Sequence, residues 1–409
     1  MCFIVGVAVY PLSFFCVLFL LEACAPPPNS GISYNWDHVD ECVDNIEEPQ
    51  ETDLSEIFLG YRIRLSFVGD LFWGRGVDVR SQKTQAGYAY PFEQLSTFAK
   101  QDHEVWIGNL ECPVTSTQET YERMKKLLKF SCKPEYLSFA REYFDIFSLA
   151  NNHTDNMQEV GGFEQTKEFL QTHNFQYFGS FDNRRQSDIC EVVSVPAEPI
   201  NALGNRIENK PIFNFPIALC GYHNVLKLPT EAELAVITDY STYFFTIVMP
   251  HQGVEYKARQ NHWQEEQYRK MINYGADMVV GGHTHSIQGL EWYKGKPIVY
   301  SVGNFIFDQN FGTTMYGLMY RLQMFVSNNE EIFTYQSWGI SDCTKFQDQC
   351  LYNAEYYSLQ KPKVSLVQAM DIVHNLHMQP QKAADSIAQT KLKDIGWHKY
   401  IQDTTQTKQ

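Results

Sequence analysis

The chain is short of positive charge, with 33 Lys and Arg against 48 Asp and Glu and a formal net charge of -15. That balance argues against binding to nucleic-acid backbones, which rests on clustered cations. No CxxC occurs among the ten cysteines, so a zinc site built on cysteine is excluded on spacing. No internal repeat and no low-complexity run is present, which sets aside solenoids and long linkers. Charge is also missing from the first 21 residues. Residues 1–24 end in "LEAC" and lead into "APPPNS". Either a lipoprotein-like signal peptide with Cys24 as the lipidation site or an uncleaved membrane anchor fits this pattern. Both readings put the rest of the protein on the membrane, outside the cytoplasm. Seven cysteines follow Cys24, an odd number; Cys343 and Cys350 are close enough in sequence to pair, but spacing does not establish connectivity.

What is present is a regular core. Residues 25–60 are acidic and polar and read as a linker. From Tyr61 onward, short apolar runs end in polar residues: "YRIRLSFVGD", "HEVWIGNLE", "YFDIFSLANNH", "TYFFTIVMPHQG", "ADMVVGGHTH" and "KPIVYSVGNFIFD". Between several of them lie stretches with 3.6-residue apolar spacing, "GGFEQTKEFLQTHNF" and "ARQNHWQEEQYRKMINYGAD". Strand, polar loop, helix, strand predicts an α/β layer fold over 61–330. Residues 181–240, rich in Pro and Asn, read as an insertion or long loop system, with "IALCGYH" a further strand. A C-terminal extension, 331–409, is expected to pack on the domain and to end in a frayed tail.

The polar residues collect at the C-terminal tips of five strands: Asp70, Glu111, Asn152 with His153, His251, and His283 with His285. Ligands gather at that edge of α/β sheets. Carboxylate, imidazole and amide oxygen suit Mn, Zn, Fe or Mg, and a shared carboxylate offsets the repulsion between two ions. One or two divalent ions are therefore expected, and a pair of ions suits phosphoryl transfer. A glycine pair before His283-Thr284-His285 reads as clearance that lets both imidazoles reach inward. Asn151 has a competing use as a cap for the following helix.

The stretches "FVGDLFWGRGVD", "IGNLECPVT", "SLANNHTDN", "MPHQGVEY", "GADMVVGGHTHSIQ" and "IVYSVGNFIFD" together resemble the CapA family, the PgsA or poly-γ-glutamate capsule biosynthesis proteins. That family is similar in fold to calcineurin-like metallophosphoesterases, a layered α/β/β/α sandwich of the metallo-dependent phosphatase type. The resemblance implies metal ligation by Asp70, Glu111, Asn152, His251, His283 and His285. It implies that His153 assists the leaving oxygen, with Arg75 acting in catalysis on an anionic group. Asn109, Asn151, Glu255 and Asn304 would support the shell or the substrate. Arg75 and Glu255 have a competing use, pairing with each other or with neighbours. The superfamily opens with Asp-x-His, whereas Asp70 here is followed by Leu71 and Phe72, which takes one imidazole from one ion.

The implied function is a membrane-anchored metal-dependent hydrolase in the cell envelope. It would serve synthesis, export or anchoring of an anionic polymer, with that polymer or a phosphate ester as substrate. A non-catalytic assembly or export subunit of a polymer-synthesising membrane complex is the alternative.

Overall fold

A computed structural model describes residues 53–327, 333–346 and 349–355. The expected leader at 1–24, Cys24 and most of the acidic linker lie outside those residues. Among the described residues no helix is long and apolar enough to cross a membrane.

The first strand organises everything else. β1 (Phe58–Leu71) is followed by helix α1 (Arg75–Ser81), then β2 (Glu104–Leu110), helix α2 (Tyr121–Leu127), β3 (Ile146–Ser148), helix α3 (Gly162–Thr172) and β4 (Gln176–Phe178). β5 (Cys190–Asn201) and β6 (Phe213–His223) lead to helix α4 (Glu231–Ser241), β7 (Thr246–His251), helix α5 (His262–Asn273) and β8 (Met278–Val280). β9 (Leu290–Tyr293), β10 (Lys296–Val299), β11 (Asn304–Ile306), β12 (Tyr316–Ser327), β13 (Phe333–Phe346) and β14 (Gln349–Glu355) complete the order.

Two sheets result. One runs β14–β13–β12–β1–β2–β3–β4, with β11 laid parallel to the end of β1; the other runs β5–β6–β7–β8–β10–β9. They are joined where the start of β1 pairs antiparallel with β5. β1 to β4 are mutually parallel, as are β6, β7, β8 and β10, so their C-terminal tips share an edge.

Alternation sorts the first sheet between two cores. Ile107 and Ile146 enter the core shared with the second sheet, while Trp106 and Phe147 face the opposite side. In the second sheet β7 and β8 are buried throughout and β6 over residues 215–222, as parallel strands covered on both faces are. Helices α4 and α5 cover its outer face, contributing Leu234, Ile237 and Tyr268 to the core. Each fully buried large side chain of this kind contributes roughly 2–3 kcal/mol. The layers are the expected α/β/β/α. Capping boxes at Thr230/Glu233 and Asn261/Gln264 set the starts of α4 and α5.

Two expectations are corrected. Residues 181–240 hold the regular strand β5 and helix α4 rather than a loop system, while "IALCGYH" is a strand as expected, the end of β6. β5 carries Pro196 and Pro199, yet its ladder changes partner between them, from β6 through Ala197 to β1 from Glu198. "KPIVYSVGNFIFD" is two strands, not one. Gly303, at φ +71°, turns the chain so that β10 pairs in one sheet and β11 in the other. β13 and β14 carry the first sheet past residue 330, and their register sets Cys343 opposite Tyr352 and Cys350 opposite Lys345.

Candidate metal centre

A bulge aims the first ligand candidate. Phe67 pairs with Ile107 and Asp70 with Asn109, so three steps on β1 match two on β2. The extra residue reverses the alternation, and Asp70 takes the face that Phe67 held. Gly69 makes this possible: a Cβ there would sit 1.8 Å from the Gly303 carbonyl oxygen. The Asp70 amide donates to that same oxygen at 3.0 Å.

The other candidates converge on the same edge. Asp70, Glu111 and His285 have ligand atoms within 4.8 Å of one another, all buried. Glu111 Oε1 lies 3.7 Å from His251 Nε2 and 4.0 Å from both His285 Nε2 and His153 Nε2. His251 Nε2 is in turn 2.9 Å from Asn152 Oδ1 and 3.2 Å from His283 Nδ1. Glu111 therefore stands between two groups: Asp70 with His285, and Asn152 with His251 and His283.

His283 and His285 sit at φ +86° and +53°, a backbone region that non-glycine residues rarely enter. Strain of this kind collects at working sites, held by the surrounding structure. The preceding glycines do provide clearance. A Cβ on Gly281 would sit 2.3 Å from the Tyr300 carbonyl oxygen, and one on Gly282 would sit 3.2 Å from Asp70 Oδ1.

Supporting contacts orient the ring. Asn109 donates from Nδ2 to Asp70 Oδ1 at 2.8 Å and receives Asn151 Nδ2 on its Oδ1 at 3.0 Å. The Asn151 Oδ1 accepts from the His153 and Thr154 amides, which closes a turn; the following helix α3 is capped at Gly161, so Asn151 does not cap it. Asn304 Oδ1 accepts from His285 Nδ1 at 2.9 Å, which turns His285 Nε2 toward Glu111.

Electrostatically the site is a set of buried acceptors with nothing to accept from. Asp70 Oδ2 and both Glu111 oxygens are buried without a hydrogen-bond donor; His285 Nδ1 approaches Asp70 Oδ2 to 3.2 Å without alignment. Burial first, then the Asp70 carboxylate, hold Glu111 well above the usual carboxylate range. Burial pushes His153 down to about 4, His283 down to about 3, and His251 well below the usual imidazole value. All three imidazoles are thus neutral and able to ligate. A divalent cation fits: it would meet three orphaned carboxylate oxygens, neutral imidazole nitrogens and an amide oxygen.

Some residues land elsewhere. Arg75 gives its fork to Asp308, with Nε to Oδ2 at 2.7 Å and a second contact from Nη2 to Oδ1. Its guanidinium also lies over the Phe130 ring at 4.9 Å. Pairing with a neighbour is therefore the use the structure gives it, though the partner is not Glu255. Glu255 is half-buried on the loop after β7, and its charge raises Glu111 further.

Three contributors escaped sequence reasoning. Asp308 closes the "NFIFD" stretch. Asn156, three residues after His153, meets His153 Nδ1 at 2.9 Å while holding the Phe130 amide at 2.7 Å. Phe130 stacks on His153 with ring centres 4.0 Å apart. A buried disulfide, Cys112–Cys132, holds the loop carrying Phe130 against the tip that carries Glu111. A second, Cys190–Cys220, joins facing positions of β5 and β6.

Comparison with known proteins adds relatives. A family model described as "Bacterial capsule synthesis protein PGA_cap" matches residues 64–309. "Capsule biosynthesis protein CapA" of Bacillus anthracis is 26% identical over 268 residues, covering 62% of this chain and 62% of the relative. "PGA biosynthesis protein CapA" of Bacillus subtilis (strain 168) is 29% identical over 254 residues, covering 61% and 64%. The chain thus spans less than two thirds of the length of either relative. A crystal structure titled as a novel phosphatase of Mycoplasma pneumoniae shares 11% identity, with 73% of this chain and 95% of that one covered and a TM-score of 0.36.

Proposed function

Because the chain belongs to the bacterial capsule synthesis protein family, we propose that its buried cluster is the divalent-metal centre of an envelope hydrolase. The reading assigns it to synthesis, export or anchoring of an anionic surface polymer of the poly-γ-glutamate kind. One observation carries it: three buried carboxylate oxygens without donors, ringed by neutral imidazoles and an amide oxygen.

Asp70, Glu111 and His285 would hold one ion, and Glu111, Asn152, His251 and His283 a second. The second set is richer in donors, because Phe72 stands where an imidazole would complete the first. When bound, a divalent ion supplies Lewis acidity for displacement at a phosphate ester or related centre. The chain's own residues do the rest. Asn156 accepts from His153 Nδ1, leaving Nε2 directed at the site, where it takes or returns the proton of a reacting oxygen. Phe130 covers the His153 ring and excludes water from that side. Arg75, braced by Asp308, places a fixed cation over the Phe130 ring, on which His153 stacks.

Two buried disulfides support a location outside the cytoplasm, where such bonds persist. An N-terminal lipid or anchor remains part of the proposal.

The test is metal content of the chain purified without added metal, followed by phosphomonoester and phosphodiester turnover. Bound metal, with turnover lost in both His153→Ala and His283→Ala, supports the enzyme. Phe72 favours one second reading, an assembly or export subunit. Export that depends on the protein while neither variant changes it would select that reading.

A further inference from the structure

The loops around the mouth of the site carry an unusual surface. Three of them follow the C-terminal ends of parallel strands, β2 in the first sheet and β6 and β7 in the second. The first presents Leu127 and Leu128, the second Leu226 and Leu228, and the third Val254 and, at the start of α5, Trp263. Leu226 is 87% exposed, Trp263 61% and Leu128 55%. Leu128 is held at φ +51°, a strained conformation for a side chain left in water. Single exposed apolar residues need no explanation, but apolar residues on all three of the loops that follow these strand tips do.

The charges beside them point the same way. Segments 121–129, 224–230 and 252–261 hold seven basic against two acidic residues, in a chain of net charge -15. Lys125, Lys126, Lys227, Lys257 and Arg259 are in no ion pair among the described residues. Apolar tips flanked by unpaired cations suit the boundary between lipid headgroups and acyl chains. A dissolved anionic polymer would use the cations but leave the leucines and Trp263 in water.

We infer that this rim docks on an anionic bilayer surface, placing the mouth of the site at the headgroup layer. Docking stands independently of the metal reading. The consequence for substrate rests on that reading: a phosphate ester carried by a lipid would be reached without leaving the membrane.

Trp263 is a built-in reporter. Its emission, taken as the difference between the full chain and Trp263→Phe, is followed on vesicles with brominated acyl chains. Quenching is expected with about 30% phosphatidylglycerol and should be roughly tenfold weaker on phosphatidylcholine alone. Lys125→Glu combined with Lys126→Glu and Lys227→Glu should reduce it to the neutral-vesicle level. The apolar N-terminus contributes equally to both vesicle types, so only the difference counts. Equal emission on both vesicles overturns the inference. So does a Trp263 response to poly-γ-glutamate without lipid and none to vesicles, which would assign the rim to polymer. Metal content measured on the same samples separates a failure of docking from a failure of the metal centre.

Discussion

Replacing Glu111 by glutamine should change stability in opposite directions with and without metal. The side chain is fully buried, and neither of its oxygens has a donor. In metal-free protein it is a fully buried carboxyl group facing Asp70, and burial first and then the Asp70 charge oppose its ionisation. An unsatisfied buried group of this kind costs about 1–3 kcal/mol. The amide in Glu111→Gln has similar shape, no charge, and a donor beside Asp70 Oδ2. With chelator present the variant should therefore be more stable than its parent by about 1–3 kcal/mol. At about 2–4 °C per kcal/mol for a large domain, the midpoint should rise by roughly 3–10 °C. With metal in excess the order reverses. An ion at a hundred times its Kd adds about 2.7 kcal/mol to the parent, while the variant lacks the carboxylate that both ligand groups share. The assay is thermal unfolding by circular dichroism, with chelator and then with Mn2+, Zn2+, Fe2+ or Mg2+. A variant less stable than its parent in chelator would show Glu111 to be a satisfied structural group, and the reasoning would fail.

Further outcomes follow from the same geometry. His283→Ala should lose bound metal and turnover together, whereas His153→Ala should keep metal and lose turnover; elemental analysis beside an ester assay separates them. Cys112→Ser with Cys132→Ser opens a loop between residues 20 apart, and should cost roughly 3 kcal/mol in urea unfolding. Gly69→Ala puts a methyl group against the Gly303 carbonyl, so soluble yield should fall sharply while Gly204→Ala, in open space at positive φ, should be milder. Acid should weaken the metal-free protein through its histidines. His153 binds its proton near 4 when folded and near 6.5 when unfolded, so its contribution is full above 6.5 and fades as pH falls toward 4. The loss is roughly 3 kcal/mol. Glu111, raised by burial, acts in the opposite sense, and the comparison is cleanest in the Glu111→Gln background.

That the candidate ligands would cluster was readable because they follow strands with clear apolar runs, and parallel strands bring such ends together. The close spacing of His283 and His285 after two glycines was the strongest local sign. The bulge at Val68–Gly69 was not readable, since one extra residue leaves no trace in composition. Nor was the Arg75–Asp308 pair, whose partners lie 233 residues apart and meet only because β11 lies along β1. Asn156 was passed over because an amide beside a histidine looks like an ordinary turn residue. β5 was misread because proline signals a break, and only the change of ladder partner lets two prolines stay in one strand.

β1 has a further consequence for how the molecule opens. It exchanges ladder bonds with β12, β5, β2 and β11. Neither sheet can detach without releasing it, so partial opening has no inexpensive route through the centre. The amide protons of Leu65 and Phe67 should then exchange with solvent only when the whole domain unfolds. Asp70, on that same strand and five residues before the first helix, inherits this stillness, while the rim loops a few residues beyond the edge remain free to exchange quickly. One strand thus sets two clocks in the same protein, slow beneath the buried cluster and fast above it.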